Sequence, residues 1–375
     1  MTENPFIETL NKGTSAKAPS YSAAQLKHVP QPKMSMAARD EHDRQLTRDA
    51  RKAARQAASD EATVAEWRHY LDNFAAVADE VRNAVNSRTP RSARVIRGGT
   101  LLAQVTDVHF GGTVKRDKNH YSLDTASRRL AAYAEEILAL QAQTGASDLG
   151  ICLTGDIFDS YIGKMRTDKI LHAEGPAVWS FAMGLELIKQ FVTELAESEA
   201  FGSVTLYGIC GNEARLMNER GHGELVATDN WDSLLNGQLA VHFGPTDVEC
   251  NFAVNRLVVE AEGWRVLLMH GDQGLSAQCT QKECQSILGL HNADFGMSGH
   301  IHNPLVSGHW IRSGSLIGTD SYAGEGLNLS GYASQSVVHL TPQRRNVHVI
   351  DLQYCDNVEP YTVVDFGGAF GIAGL

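Results

Sequence analysis

Between Asp107 and His302 the chain carries five short runs whose residue types can bind metal. They are TDVHFGG with Asp107 and His109, TGDIFD with Asp156, CGNEARL with Asn212, LLMHGD with His270, and SGHIHN with His300 and His302. Carboxylate, amide oxygen and imidazole, with no thiolate among them, suit hard or borderline divalent ions. In extended backbone, Asp-x-His and His-x-His place two side chains on one side, because successive side chains alternate. A single strand end can therefore supply two ligands. Gly155, Gly211, Gly271 and Gly299 stand beside these ligands and permit sharp turns and close backbone approach.

Such ligands need a scaffold that brings distant segments together. LLAQVT (Leu101–Thr106), LGICLT (Leu149–Thr154) and SVTLYGI (Ser203–Ile209) read as short apolar strands. Helical patterns at Asp124–Gln143 and Ala177–Glu197 separate them. Asp- or Asn-bearing loops follow each strand, at the end where open α/β sheets place ligands. Beyond Leu239 the pattern changes to period-two runs: LAVHF, RLVVEAE, WRVLLMH, HWIRSG, SVVHLT and NVHVIDLQY. These predict a second, more antiparallel sheet, with a helix at about Thr280–Leu290.

The N-terminal part differs in composition. Residues 1–35 are rich in Ser, Pro, Lys and Ala without periodicity, which predicts a flexible arm. From Met36 to Val85, Val64, Trp67, Tyr70, Leu71, Phe74 and Val77 recur at spacings of an amphipathic helix, expected to break near Ser59 or Asn73. Asn86–Gly99 reads as a linker. The domain reading is thus an arm at 1–35, a helical extension and linker at 36–98, and a catalytic domain at 99–375.

The chain has 375 residues and a formal net charge of −11. Residues 1–98 hold 16 Lys+Arg against 12 Asp+Glu, and the remainder holds 17 against 32. So acidic a remainder is a poor long footprint for duplex DNA, whose affinity comes largely from neutralised phosphates. Bound divalent cations would offset part of that charge. No apolar run approaches the about 20 residues of a membrane helix, and the N-terminus lacks a secretory layout. The six cysteines form no CxxC pair, which argues against a disulfide scaffold or a thiolate zinc site. These features predict a cytoplasmic protein without a membrane partner, in which the N-terminal helical segment could serve homo-oligomer formation.

The order Asp-x-His, Gly-Asp, Gly-Asn-x, His, Gly-His-x-His resembles the calcineurin-like metallophosphoesterase superfamily, over about Leu101 to His302. The resemblance implies a four-layer α/β/β/α sandwich of two mixed sheets flanked by helices, here with a helical N-terminal extension. It implies that Asp107, His109 and His302 bind one metal, that Asn212, His270 and His300 bind a second, and that Asp156 bridges them. Two such ions share a water whose pKa falls toward neutrality, giving hydroxide as nucleophile. Mn²⁺ is the expected ion, with Fe or Zn²⁺ equally compatible with the ligand types.

The family usually has histidine after the asparagine of the third motif; here Glu213 stands there. Asp107, His109, Asp156, Asn212 and Glu213 form the expected catalytic set, with Glu213 a proton donor if burial raises its pKa. Arg215, Lys164 and Arg166 are candidate phosphate contacts, and Asp159 and Asp272 candidate partners that orient a ligand imidazole. His120, His172, His222, His242, His291 and His309 are more simply read as structural.

TDVHFGG, GDIFD and the RSGSLIGTDSY stretch are similar to the SbcD-like DNA repair exonucleases, a branch with phage and bacterial members. The expected activity is therefore hydrolysis of phosphodiester bonds, with DNA or a nucleotide diester as substrate. A small-molecule or cyclic-nucleotide phosphodiesterase is the alternative that the acidic catalytic region fits. A phosphoprotein phosphatase is disfavoured, because the Arg-bearing motifs expected at its metal site are missing. A reading of another class is a non-catalytic metal-binding scaffold, kept open by Glu213.

Overall fold

The computed structural model describes residues 35–86, 97–116, 118–159, 173–216, 228–320 and 331–363. Lys164, Arg166, His172 and His222, like the arm at 1–34 and most of the linker, lie outside the described residues. The chain divides into two compact units, Met1–Ser92 and Ala93–Leu375.

The first unit contains one helix, α1 (Met36–Asn86), of 51 residues. It runs without the break expected near Ser59 or Asn73. Both residues can sit on an exposed helix surface without removing a backbone hydrogen bond, and the Ser59 carbonyl accepts the Thr63 hydroxyl at 2.9 Å. Of the apolar positions, Val64, Trp67, Leu71 and Val77 are exposed, while the side chains of Tyr70 and Phe74 fall outside the described set.

The second unit is built from thirteen strands and four helices among the described residues. Its larger sheet contains β1 (Thr100–Val105), β4 (Asp148–Leu153), β5 (Ser203–Gly208), β6 (Glu249–Phe252), β12 (Ser334–Thr341) and β13 (Arg344–Asp351). Its order is β13-β12-β1-β4-β5-β6. β1, β4, β5 and β6 run parallel, and β12 and β13 add antiparallel on the other edge of β1. The smaller sheet contains β7 (Arg256–Ala261), β8 (Trp264–Met269), β9 (Phe295–Ser298), β10 (Leu305–Val306) and β11 (Trp310–Arg312), in the order β10-β11-β9-β8-β7. It is mixed, since β8, β9 and β11 are parallel neighbours. A short hairpin of β2 (Val114–Arg116) and β3 (Asn119–Tyr121) stands apart.

Alternation along β1 separates two cores. Leu101, Ala103 and Val105 pack among helices α2 (Leu123–Thr144) and α3 (Ala177–Glu197), whereas Leu102 joins Val266, Leu268 and Trp310 of the smaller sheet. Tyr133 of α2 stacks on Phe191 of α3, with ring centroids 5.9 Å apart and planes 4° from parallel. Each such fully buried side chain contributes about 2–3 kcal/mol. The outer side of the smaller sheet is identified by two adjacent residues of β8. The Trp264 Nε1 donates to Thr341 O of β12 at 2.9 Å. The Arg265 Nε points the other way, to Asn292 O at the C-cap of helix α5 (Gln281–His291). Neighbouring strand residues face opposite sides. The order of layers is helices, larger sheet, smaller sheet, helix.

Two expectations for the second unit also need correction. LAVHF is not a strand: it closes helix α4 (Trp231–Phe243). Leu235, Leu239 and Phe243, four apart, are buried, while Val241 is 76% exposed. The period of two was an accident of a helix with small and apolar residues on its outer face. Second, SVVHLT and NVHVIDLQY extend the larger sheet as β12 and β13, because all of Ser334–Thr341 is buried between layers. Among the described residues no helix is long and apolar enough to cross a membrane.

Candidate metal centre

The seven predicted ligands occupy the ends of five strands: Asp107 and His109 follow β1, Asp156 follows β4, Asn212 follows β5, His270 follows β8, and His300 and His302 follow β9. The two layers are locked together there by buried polar contacts. Gln104 Nε2 donates to Thr154 Oγ1 at 2.7 Å and to Ser298 O at 2.8 Å, joining β1 to the loop after β4 and to β9. Asp107 is held by its surroundings: Thr106 Oγ1 donates to its Oδ2 at 2.8 Å, and the His300 backbone N–H lies 2.9 Å from the same oxygen. The backbone N–H of Leu316 donates to Asp107 O, so the Gly314–Gly318 turn backs the first ligand loop. Arg129, fully buried, fastens that turn through Leu316 O at 2.7 Å.

The ligand backbones are strained. Asp107, His109, Asp156, His300 and His302 all have φ between 49° and 73°, the left-handed region. Non-glycine residues there lose about 1 kcal/mol or more each, and such residues cluster where surrounding structure over-determines a functional geometry. The turns also demand glycine. A Cβ on Gly211 would lie 2.1 Å from Asp156 Oδ1, and one on Gly299 would lie 2.1 Å from Asp107 Oδ2.

Two clusters of ligand atoms result. Asp107, His109 and His302 form one, Asp156, His270 and His300 the other, with the ligand atoms of each within 4.8 Å of one another. In the first, His302 Nε2 lies 3.3 Å from Asp107 Oδ1 and 3.1 Å from His109 Nε2. In the second, His270 Nε2 lies 2.9 Å from Asp156 Oδ2 and 3.0 Å from Asn212 Oδ1. His120, His242, His291 and His309 join neither cluster.

The chemistry of the second cluster fits a cation. His270 Nδ1 is 2.9 Å from Thr154 O, which only accepts, so Nδ1 carries the hydrogen. In the neutral ring Nε2 then presents a lone pair, and it faces a carboxylate oxygen and an amide oxygen. Three lone pairs directed at one point repel unless a positive charge, a proton on Nε2 or a bound cation in its place, stands among them. The same field acts on the titrating groups. Burial would lower the His270 pKa, but Asp156 first, then Asp107 and Asp272, carry it up to about 10. Burial would raise Asp156, yet His270, His109 and His300 hold its carboxyl far below the ordinary range. Asp107 is lowered against its burial by His302 and His270. Burial and the neighbouring His270 lower His300.

Of the candidate orienting carboxylates, Asp159 Oδ1 stands 3.5 Å from His109 Nδ1. Asp272 does not orient an imidazole by direct contact. It pairs with Arg215 at 2.7 Å, both side chains buried. Glu213 does two things: its backbone N–H donates to Asp156 Oδ1 at 2.7 Å, and its Oε1 accepts from Asn212 Nδ2 at 2.9 Å. The second contact turns the Asn212 amide so that its oxygen faces His270.

Sequence reasoning missed Asp232, which is 1% exposed in the first turn of α4. Its Oδ2 accepts the N–H groups of Asp156 and Gly211, each at 2.9 Å, and its Oδ1 accepts that of Ile157 at 3.1 Å. Burial and the charge of Asp156 raise its pKa to about 7. In sequence, Asn230 followed by Trp231 and Asp232 signals only a capped helix start, so nothing there marks a tertiary role.

No family model matches the chain, and no curated protein matches its sequence. Similar solved structures include Zn²⁺-complexed Vps29 from Entamoeba histolytica, with TM-score 0.31 and 12% identity, covering 67% of this chain and 99% of that one. A conserved uncharacterized protein from Streptococcus pneumoniae TIGR4, described as a predicted phosphoesterase, gives TM-score 0.31 and 12% identity over 70% of this chain and 93% of its own. A 5'-nucleotidase from Candida albicans SC5314 gives TM-score 0.31 and 11% identity over 73% of this chain and 56% of its own. Likeness at this level carries no functional weight, so the chemistry of the site rests on its own geometry.

Proposed function

We propose that the chain is a two-metal phosphoesterase that hydrolyses phosphodiester bonds, with DNA as its substrate. The observation that carries this reading is the convergence of His270 Nε2, Asp156 Oδ2 and Asn212 Oδ1 beside a second cluster of Asp107, His109 and His302. Asp107, His109 and His302 would hold one divalent ion. Asn212, His270 and His300 would hold the other, with Asp156 serving both. Bound ions of this kind polarise phosphoryl oxygens and acidify water.

The chain's own groups prepare that chemistry. Thr154 O keeps a hydrogen on His270 Nδ1, so Nε2 is the nitrogen that would exchange its proton for a cation, and the strained loops present their side chains without reorganisation. Glu213 keeps the Asn212 oxygen inward. We read its carboxylate as an orienting acceptor, with the proton-donor role that a raised pKa would give it as the alternative. DNA as substrate rests on the motif wording TDVHFGG and GDIFD. The excess of 32 Asp+Glu over 17 Lys+Arg beyond residue 98 favours a second reading, a small nucleotide diester.

The test is hydrolysis by metal-stripped protein resupplied with Mn²⁺, using bis-p-nitrophenyl phosphate and labelled single- and double-stranded DNA, with Asp156→Ala as control. DNA cleavage lost in the variant is the expected result. Cleavage of the small diester alone would transfer the reading to a nucleotide phosphodiesterase. Native protein that binds no divalent ion would end both.

A further inference from the structure

Arg44, Arg48, Arg51, Lys52 and Arg55 lie on α1, all exposed. At 3.6 residues per turn they fall within an arc of about 100° and run for about 17 Å along the axis. Asp43 and Asp49 fall outside that arc, and Asp49 is engaged with Gln45. Asp40 and Glu41 stand four and three residues before Arg44, so opposite charge meets the stripe at its first cation. Among the described residues none of the five cations is paired with a carboxylate.

This arrangement works against the helix that carries it. Like charges three and four residues apart destabilise an isolated helix by about 0.2–0.5 kcal/mol per pair, and the stripe contains five such pairs: 44/48, 48/51, 48/52, 51/55 and 52/55. A helix needing only solubility is better served by alternating signs. A row of anions laid along the stripe would remove the repulsion. The spacing of its cations, about 5–6 Å along the axis between successive turns, is on the scale of phosphates along a nucleic-acid strand.

We propose that this face of α1 binds the phosphate backbone of duplex DNA. Single-strand binders add aromatic platforms on which bases stack, and the sequence from Arg39 to Val64 contains no Phe, Tyr or Trp. A bare cationic stripe contacts backbone and reads no sequence. The biological use of this face rests on the diester-hydrolase reading; the binding itself does not. It gives an otherwise acidic protein the cationic footprint that its residues beyond 98 lack.

The experiment compares the full-length protein with an Arg44→Gln, Arg48→Gln, Arg51→Gln, Arg55→Gln variant. Glutamine retains helix propensity, and circular dichroism verifies that the helix persists. Anisotropy titrations of a labelled duplex and a matching single strand run from about 50 to 200 mM salt, with bis-p-nitrophenyl phosphate hydrolysis in parallel. The expected result is a slope of log affinity against log salt that is shallower by about 3–4, and duplex binding weaker by more than about 100-fold. Hydrolysis of the small diester should not change. An unaltered slope would overturn the proposal, as would tighter binding of the single strand than of the duplex. Equal loss of small-diester hydrolysis would also overturn it, by showing that the substitutions damage the catalytic unit. Duplex binding through the stripe by a protein that hydrolyses no diester would support this proposal while sinking the enzymatic one.

Discussion

The carboxylate of Asp232 accepts the backbone N–H of Asp156 at 2.9 Å, and with the same oxygen that of Gly211. One side chain on α4 thus sets the distance between the loop after β4 and the loop after β5. Those loops carry Asp156 and Asn212, which meet at His270.

Asp232→Asn tests that relation. Asparagine has one acceptor oxygen and turns an NH₂ toward backbone donors, leaving at least one buried N–H unsatisfied. That costs about 1–3 kcal/mol. Thermal melting should show the lower stability, and calorimetric metal titration a weaker second cluster. Unchanged metal affinity would mean that the loops hold their spacing without Asp232.

Metal content should separate the two clusters. His302→Ala removes a ligand from the first and His270→Ala from the second, so each variant is expected to lose one ion by elemental analysis and keep the other. Asp156→Ala should reduce both if its carboxylate serves both ions. Retention of one full equivalent in Asp156→Ala would restrict that residue to a single ion.

Glu213 offers a sharper distinction. As an acceptor for Asn212 Nδ2, it should tolerate Glu213→Gln, whose Oε1 can still accept, while Glu213→Ala should lower kcat/KM about tenfold, equivalent to about 1.4 kcal/mol. As a proton donor it would be damaged equally by both substitutions. Steady-state rates of the two variants on one diester decide between these roles.

The buried Arg215–Asp272 pair should behave asymmetrically. Arg215→Ala strands a buried carboxylate and is expected to destabilise by about 3–5 kcal/mol, whereas Arg215→Met with Asp272→Leu should recover most of that loss. Denaturant melts of the single and double variants measure it. A double variant no better than Arg215→Ala would show that the pair does more than compensate its own burial.

The place of the seven candidate ligands at strand ends was legible from the sequence because each motif follows an apolar run, and apolar periodicity is set locally. So were α2 and α3, whose buried positions follow the period of a helix, and β4 and β8, whose short apolar runs are buried on both faces. Asp159 stood out by its place three residues after Asp156, but its approach to His109, in another loop, is made by the fold. LAVHF misled because five residues cannot distinguish a strand from a helix whose outer face bears Val241. The sheet that β12 and β13 join was likewise open: an alternating run states which faces are apolar but not which neighbour covers them. Asp232 and Arg129 are ordinary helix residues in sequence, and only folding brings one to three backbone N–H groups and the other to the turn behind Asp107. The same holds for the left-handed φ of five ligands. The types of the seven candidate ligands are a property of side chains and so were written in the chain. The division into two clusters, the hydrogen on His270 Nδ1 and the meeting of Asn212 with His270 depend on contacts between residues 58 to 193 positions apart, which only the packed layers create.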